Sequence, residues 1–173
     1  MVLHELGHAI GFFHEHSRPD RDDHIKVIHE NVQPDLTYNF HKRPSSQVND
    51  YGTPYDMNSI MHYGQRAYGI QNKITIKSIN PAYQGTIGKR EHLSFHDVML
   101  ANRMYRCDAG CDPRVVCPVQ GFRGRDCKCY CKSYRTFHPV KECAVREDQD
   151  WFIFWPYLPR PLGPPFLGGL QIW

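Results

Sequence analysis

The stretch Met1-Val2-Leu3-His4-Glu5-Leu6-Gly7-His8-Ala9-Ile10-Gly11-Phe12-Phe13-His14 decides how the chain folds. On an α-helix, residues four apart share a face, so the imidazoles of His4 and His8 can reach one metal ion. Glu5 follows closely enough to touch a water on that ion. Gly11 is the natural stop, because glycine takes the left-handed conformation that ends a helix and turns the chain. A helix that ran on would carry His14 roughly three turns beyond His4 and out of reach. A bend at Gly11 can return His14 as a third ligand and leave the fourth position of a tetrahedral ion open.

A bare H-E-x-x-H is a weak signal, but Gly11 and His14 at fixed offsets make coincidence far rarer. H-E-x-x-H-x-x-G-x-x-H is the metzincin signature. Its continuation Phe12-Phe13-His14-Glu15 with Arg18-Pro19-Asp20-Arg21-Asp22 resembles the astacin family of zinc endopeptidases. Ser59-Ile60-Met61-His62-Tyr63 is similar to the methionine turn of that family. The resemblance covers residues 1–107 and implies an α+β zincin fold that hydrolyses peptide bonds in proteins through a metal-activated water. It implies one Zn²⁺ per chain on His4, His8 and His14, with Glu5 as general base. Tyr63 is implied to approach the metal at rest and swing to hydrogen-bond the transition state. Met61 reads as an apolar floor beneath the metal. Glu15 in the family anchors a mature N-terminus.

Seven cysteines all fall between Cys107 and Cys143. Such density fits an oxidising, extracellular setting, so a secreted protein is expected. A net charge of +3 with scattered basic residues leaves no nucleic-acid footprint. No signal peptide precedes the cysteines, so further sequence upstream of Met1 is expected. The opening helix points the same way. Val2, Leu3, Leu6, Ala9 and Ile10 surround it, and a helix apolar all round must be buried on every side. In the astacin fold the missing cover is the N-terminal sheet subdomain, whose edge strand pairs with substrate. Residues 1–107 are therefore expected to be the C-terminal part of a catalytic domain lacking that sheet. Cys107 is expected to pair with a cysteine of the missing subdomain.

Downstream, Arg18, Asp20, Arg21 and Asp22 are expected to form ion pairs that fix the chain leaving the metal site. Ile25, Val27, Ile28, Val32 and Phe40 read as packing residues, residues 44–58 as loop, and Lys73–Lys77 as an alternating strand. Ser94 and Asp97 make a capping box, with Leu93 set to pack on Val98 as a hydrophobic staple. Val98, Ala101, Met104 and Tyr105 are expected to run down one helix face. His92 and His96 read as polar residues at that helix's start.

Residues 108–146 resemble an epidermal-growth-factor-like module. That resemblance implies the pairs Cys111–Cys127, Cys117–Cys129 and Cys131–Cys143; a soft metal site is the rival reading. Residues 147–173 are apolar and proline-rich, which rules against a spanning helix. They read as a disordered or artefactual end. Two other functions compete with the protease. One is a catalytically deficient remnant acting through its cysteine-rich binding module, which has no need of Glu5 and Tyr63. The other is a structural zinc protein, which would want a fourth protein ligand.

Overall fold

The first helix, α1 (Val2–Ala9), ends as its glycine demands. Gly11 lies at φ +95°. Its N–H donates to the His8 carbonyl, and the Phe12 N–H to that of Gly7, each at 2.9 Å. These paired bonds form a Schellman cap, which satisfies carbonyls that a helix end otherwise leaves open. The computed structural model describes residues 2–89, 91–135 and 138–143. The expected apolar tail, residues 147–173, lies outside the described residues, as do the last three residues of the expected cysteine-rich segment.

Beyond the cap, the chain runs through short 3₁₀ turns at Glu15–Ser17 and Arg21–Asp23. The expected ion pairs form here. Arg18 meets Asp20 at 2.8 Å and Arg21 meets Asp22 at 3.1 Å, and Lys42 also reaches Asp22 at 2.7 Å. Arg21 is buried, and its guanidinium donates to the carbonyls of His16 and Phe40. Strand β1 (Ile25–Val27) then pairs antiparallel with β2 (Ile76–Ser78), Val27 opposite Ile76.

The second strand starts three residues later than the sequence suggests. Gln65 is the reason: its carbonyl accepts the N–H groups of both Thr75 and Ile76, at 2.8 and 3.1 Å. The Thr75 hydroxyl also donates to the Ala67 carbonyl at 2.8 Å. Thr75 is thus tied to the 65–67 loop, while the Lys73 N–H donates to the Ile70 carbonyl and the Ile74 carbonyl accepts from Asn31 Nδ2. The ladder and its flanking turns enclose a core of Ile25, Val32, Phe40, Met57, Tyr63, Ile76 and Ile87.

Helix α2 (Phe95–Met104) carries the capping box as expected, with Ser94 Oγ accepting from the Asp97 N–H at 3.0 Å and Asp97 Oδ2 accepting from the Ser94 N–H at 2.8 Å. Its packing departs from expectation. Leu93, Leu100, Ala101 and Met104 pack with Phe12, Ile60 and Met61, whereas Val98 joins Phe95, Met99 and Phe122. No single apolar face exists, and the expected Leu93–Val98 staple gives way to two cores on either side of one helix. Tyr105 is 57 % exposed, and its hydroxyl donates to the Ile10 carbonyl at 2.8 Å.

The second of those cores is completed by a three-stranded antiparallel sheet of β3 (Phe122–Arg123), β4 (Cys129–Arg135) and β5 (His138–Glu142). Tyr130 and Val140 from this sheet pack against Phe95, Met99 and Phe122. Disulfides join Cys111–Cys127, Cys117–Cys129 and Cys131–Cys143, the three pairs the sequence leads one to expect. Cys107 stands outside them. Met1–Cys143 form one compact unit.

Candidate metal centre

Three imidazoles converge where α1 meets its Schellman turn. Among the described residues, His4, His8 and His14 are the one group of three or more possible ligands, their donor atoms all within 4.8 Å of one another. His4 is buried, and its Nδ1 lies 2.7 Å from the Ile60 carbonyl. His8 Nδ1 lies 2.9 Å from the carbonyl of Phe12, which the cap has turned back toward the helix. A carbonyl can only accept, so each Nδ1 carries the proton and each Nε2 keeps a lone pair for a metal.

The donor set fits zinc. Zinc–imidazole bonds are about 2.0–2.1 Å, which puts two nitrogens of one tetrahedral ion roughly 3.3 Å apart. His8 Nε2 and His14 Nε2 lie 3.1 Å apart. Three candidate ligands, with no fourth grouped with them among the described residues, are the pattern of an open site.

Two methionines account for two small residues of this segment. A side chain at Gly7 would meet Met61 Sδ at 2.6 Å, and one at Gly11 would meet Met104 Cε at 2.9 Å. Met61 therefore presses against α1 directly, which only a glycine permits. The sequence signal for this lay inside H-E-L-G-H, in the glycine between the two ligands.

A carboxylate not expected at the site holds the methionine turn. Asp97 is buried, and beyond its capping role it accepts from Ser59 Oγ at 2.6 Å and the Ile60 N–H at 2.9 Å. The same Ile60 presents its carbonyl to His4. One residue, Ile60, thus links the cap of α2 to a candidate metal ligand.

Tyr63 is 7 % exposed, its ring centroid 4.5 Å from that of His14 and stacked on His16 at 3.9 Å. The Nε2–H of His16 donates to the Asn39 carbonyl at 2.9 Å, and burial pushes the pKa of this imidazole down to about 3, so it stays neutral. Glu5 is exposed on α1, one residue after His4. Glu15 stands outside the ligand cluster. Its Oε1 accepts from the Asp56 N–H at 2.8 Å and from Arg18, and burial raises its pKa to about 8 against the pull of that guanidinium. His92 and His96 are not drawn into the cluster, and His96 Nδ1 lies 3.3 Å from Asp56 Oδ2.

A family model described as Astacin, a peptidase family, matches residues 1–106. The chain belongs to the astacin family. It is 43 % identical over 134 residues to Protein SpAN of Strongylocentrotus purpuratus, a match covering 76 % of this chain and 22 % of that protein. It is 46 % identical over 107 residues to the low choriolytic enzyme of Oryzias latipes, covering 62 % of this chain and 38 % of that one. Among solved structures it is similar to high choriolytic enzyme 1, a hatching-enzyme zinc protease of Oryzias latipes. That match has a TM-score of 0.56 and 41 % identity, over 61 % of this chain and 51 % of the other. The astacin chain thus spans about half or less of these relatives' lengths. No helix among the described residues is long and apolar enough to cross a membrane.

Proposed function

We propose that this chain forms the zinc site of a secreted metalloendopeptidase acting on protein or peptide substrates. The observation that carries the reading is the convergence of His4, His8 and His14 into an open three-nitrogen set with the Tyr63 ring against it. His4, His8 and His14 would hold the ion through Nε2, each of the first two oriented by the carbonyl at its Nδ1. Bound zinc supplies a Lewis acid that lowers the pKa of an attacking water and polarises the scissile carbonyl. Glu5 takes a proton from the attacking water and delivers it to the amide nitrogen as the C–N bond breaks. The Tyr63 hydroxyl donates to the oxyanion that develops on the carbonyl oxygen. Gly11 and Met61 do no chemistry: one turns the chain so that His14 returns, the other supports the helix bearing its partners. Glu15 ties the segment after His14 to the Asp56 loop.

In this reading, residues 1–107 are the C-terminal part of the catalytic domain, and residues 108–146 an epidermal-growth-factor-like module. Val2, Leu3, Leu6, Ile10 and Phe13 are all exposed, which supports a further sheet subdomain as their cover. That subdomain would also offer a partner to Cys107. The three disulfides fit an extracellular protein.

Glu5→Gln in the protein at its full natural length tests the assignment. Stoichiometric zinc should be retained while peptidase activity falls by about 10²–10⁴-fold, the range that general acid–base catalysis contributes. Near-normal turnover with zinc bound would sink the general-base role.

A further inference from the structure

The Tyr63–Gly64 peptide is met closely by two residues, His62 and Gly88, to which the proposed chemistry gives no role. His62 is fully buried, and its Nδ1 lies 2.8 Å from the Tyr63 carbonyl. A carbonyl only accepts, so Nδ1 carries a proton and donates, while Nε2 lies 2.8 Å from the Tyr55 hydroxyl. Both ring nitrogens are thereby engaged.

The loop before α2 approaches the same peptide. Gly88 lies at φ +71°, where a side chain would stand 2.2 Å from Gly64 Cα, 2.6 Å from Gly64 N and 2.9 Å from the Tyr63 carbonyl carbon. These are backbone atoms, which cannot swing aside as a flexible side chain can. Neighbouring Ile87 is buried in the same core as Tyr63. Gly85 differs, since a side chain there would meet nothing within 4 Å. The close approach therefore belongs to Gly88 and not to the loop's glycines in general.

We propose that His62 and Gly88 are positioning residues for Tyr63, fixing the peptide about which its phenol turns and so the place its hydroxyl can reach. The inference rests on Tyr63 acting as the oxyanion donor. A hydroxyl displaced by about 1 Å can cost on the order of 10²-fold in rate, so a small shift of this peptide is enough to register.

The test is a mutant cycle in the zinc-loaded protein at its full natural length, with a second readout that needs no turnover. Tyr63→Phe should lower kcat about 10²–10³-fold. Gly88→Ala and His62→Phe should each lower kcat about 10–10²-fold with KM little changed. In the Tyr63→Phe background neither should lower it further. His62→Asn, whose amide can donate from near the Nδ1 position, should recover most of the loss, and Gly85→Ala should behave as wild type.

In the metal-free protein, 3-fluorotyrosine at position 63 should give one ¹⁹F line that shifts or splits on Gly88→Ala and stays put on Gly85→Ala. If Gly88→Ala does not fold, the His62 pair carries the test alone. Wild-type kcat in Tyr63→Phe would overturn the donor role itself. A slow Tyr63→Phe on which the other substitutions multiply, or equal loss in His62→Phe and His62→Asn, would leave Tyr63 in place and overturn the positioning role.

Discussion

Helices α1 and α2 both serve the candidate metal centre, and they are held in opposite ways. α2 has a reciprocal side-chain cap at its start and apolar cores on two sides. α1 carries two candidate ligands, yet His4 and Gly7 are its buried residues, and Val2 and Leu6 are 74 % and 54 % exposed. What fixes α1 comes from elsewhere: a backbone cap at Gly11, Met61 against Gly7, and the Ile60 carbonyl on His4. The ligand-bearing helix is therefore placed by its supports, and the supporting helix by its own sequence.

The largest expected effect comes from cutting the connection between the two. Asp97→Ala removes the acceptor of the Ser59 hydroxyl and of the Ile60 and Ser94 N–H groups. Leaving several such groups buried and unpaired should cost about 3–5 kcal/mol, and zinc should bind more weakly because Ile60 no longer holds His4. Thermal unfolding of the metal-free protein and zinc competition with a chelator would check both parts. Unchanged zinc affinity in a destabilised protein would show that α2 supports the fold but not the ligand.

A smaller effect is expected at the contact beneath α1. Gly7→Ala drives a methyl against Met61 and should destabilise by about 1–3 kcal/mol, the usual range for overpacking. In a Met61→Ala background Gly7→Ala should cost less, a partial recovery against the sum of the two single losses, because the clash lies with the Met61 side chain. Absence of any recovery, read by denaturant unfolding, would mean that α1 is not seated on Met61.

The smallest effect separates an exposed α1 from a covered one. As the outer side chains stand, Val2→Thr and Leu6→Gln should change stability by less than about 0.5 kcal/mol, as surface substitutions do. In the protein at its full natural length, a covering subdomain would raise the cost of the Leu6 change to roughly 1.5–3 kcal/mol. Equal small losses in both contexts would leave the outer face of α1 uncovered and remove the support for the sheet subdomain.

Much of this arrangement is legible in the residues themselves. The convergence of His4, His8 and His14 follows from spacing and one glycine, and the α2 cap from Ser94 and Asp97. What stays hidden depends on partners far along the chain. Spacing gives the period of a helix but not how many cores it will meet, so Val98 and Leu93 read as one contact although they serve two. Asp97 reads as a cap because its first partner is three residues away, while its contacts with Ser59 and Ile60 span 38 and 37 positions. The offset of β2 arises likewise from Gln65, whose carbonyl has no signature in sequence. Gly88 stands among turn residues with nothing to mark which backbone it will touch.

The contact of Phe122, Tyr130 and Val140 with α2 bears on how such proteins can be recombined. A gene that trades the cysteine-rich segment for another module would cut cleanly in sequence after Cys107, yet it would strip the cover from Phe95 and Met99 further back on α2. The exchangeable piece is thus larger than the piece that looks separate, and any graft has to bring a matching apolar surface or rewrite the outer face of α2.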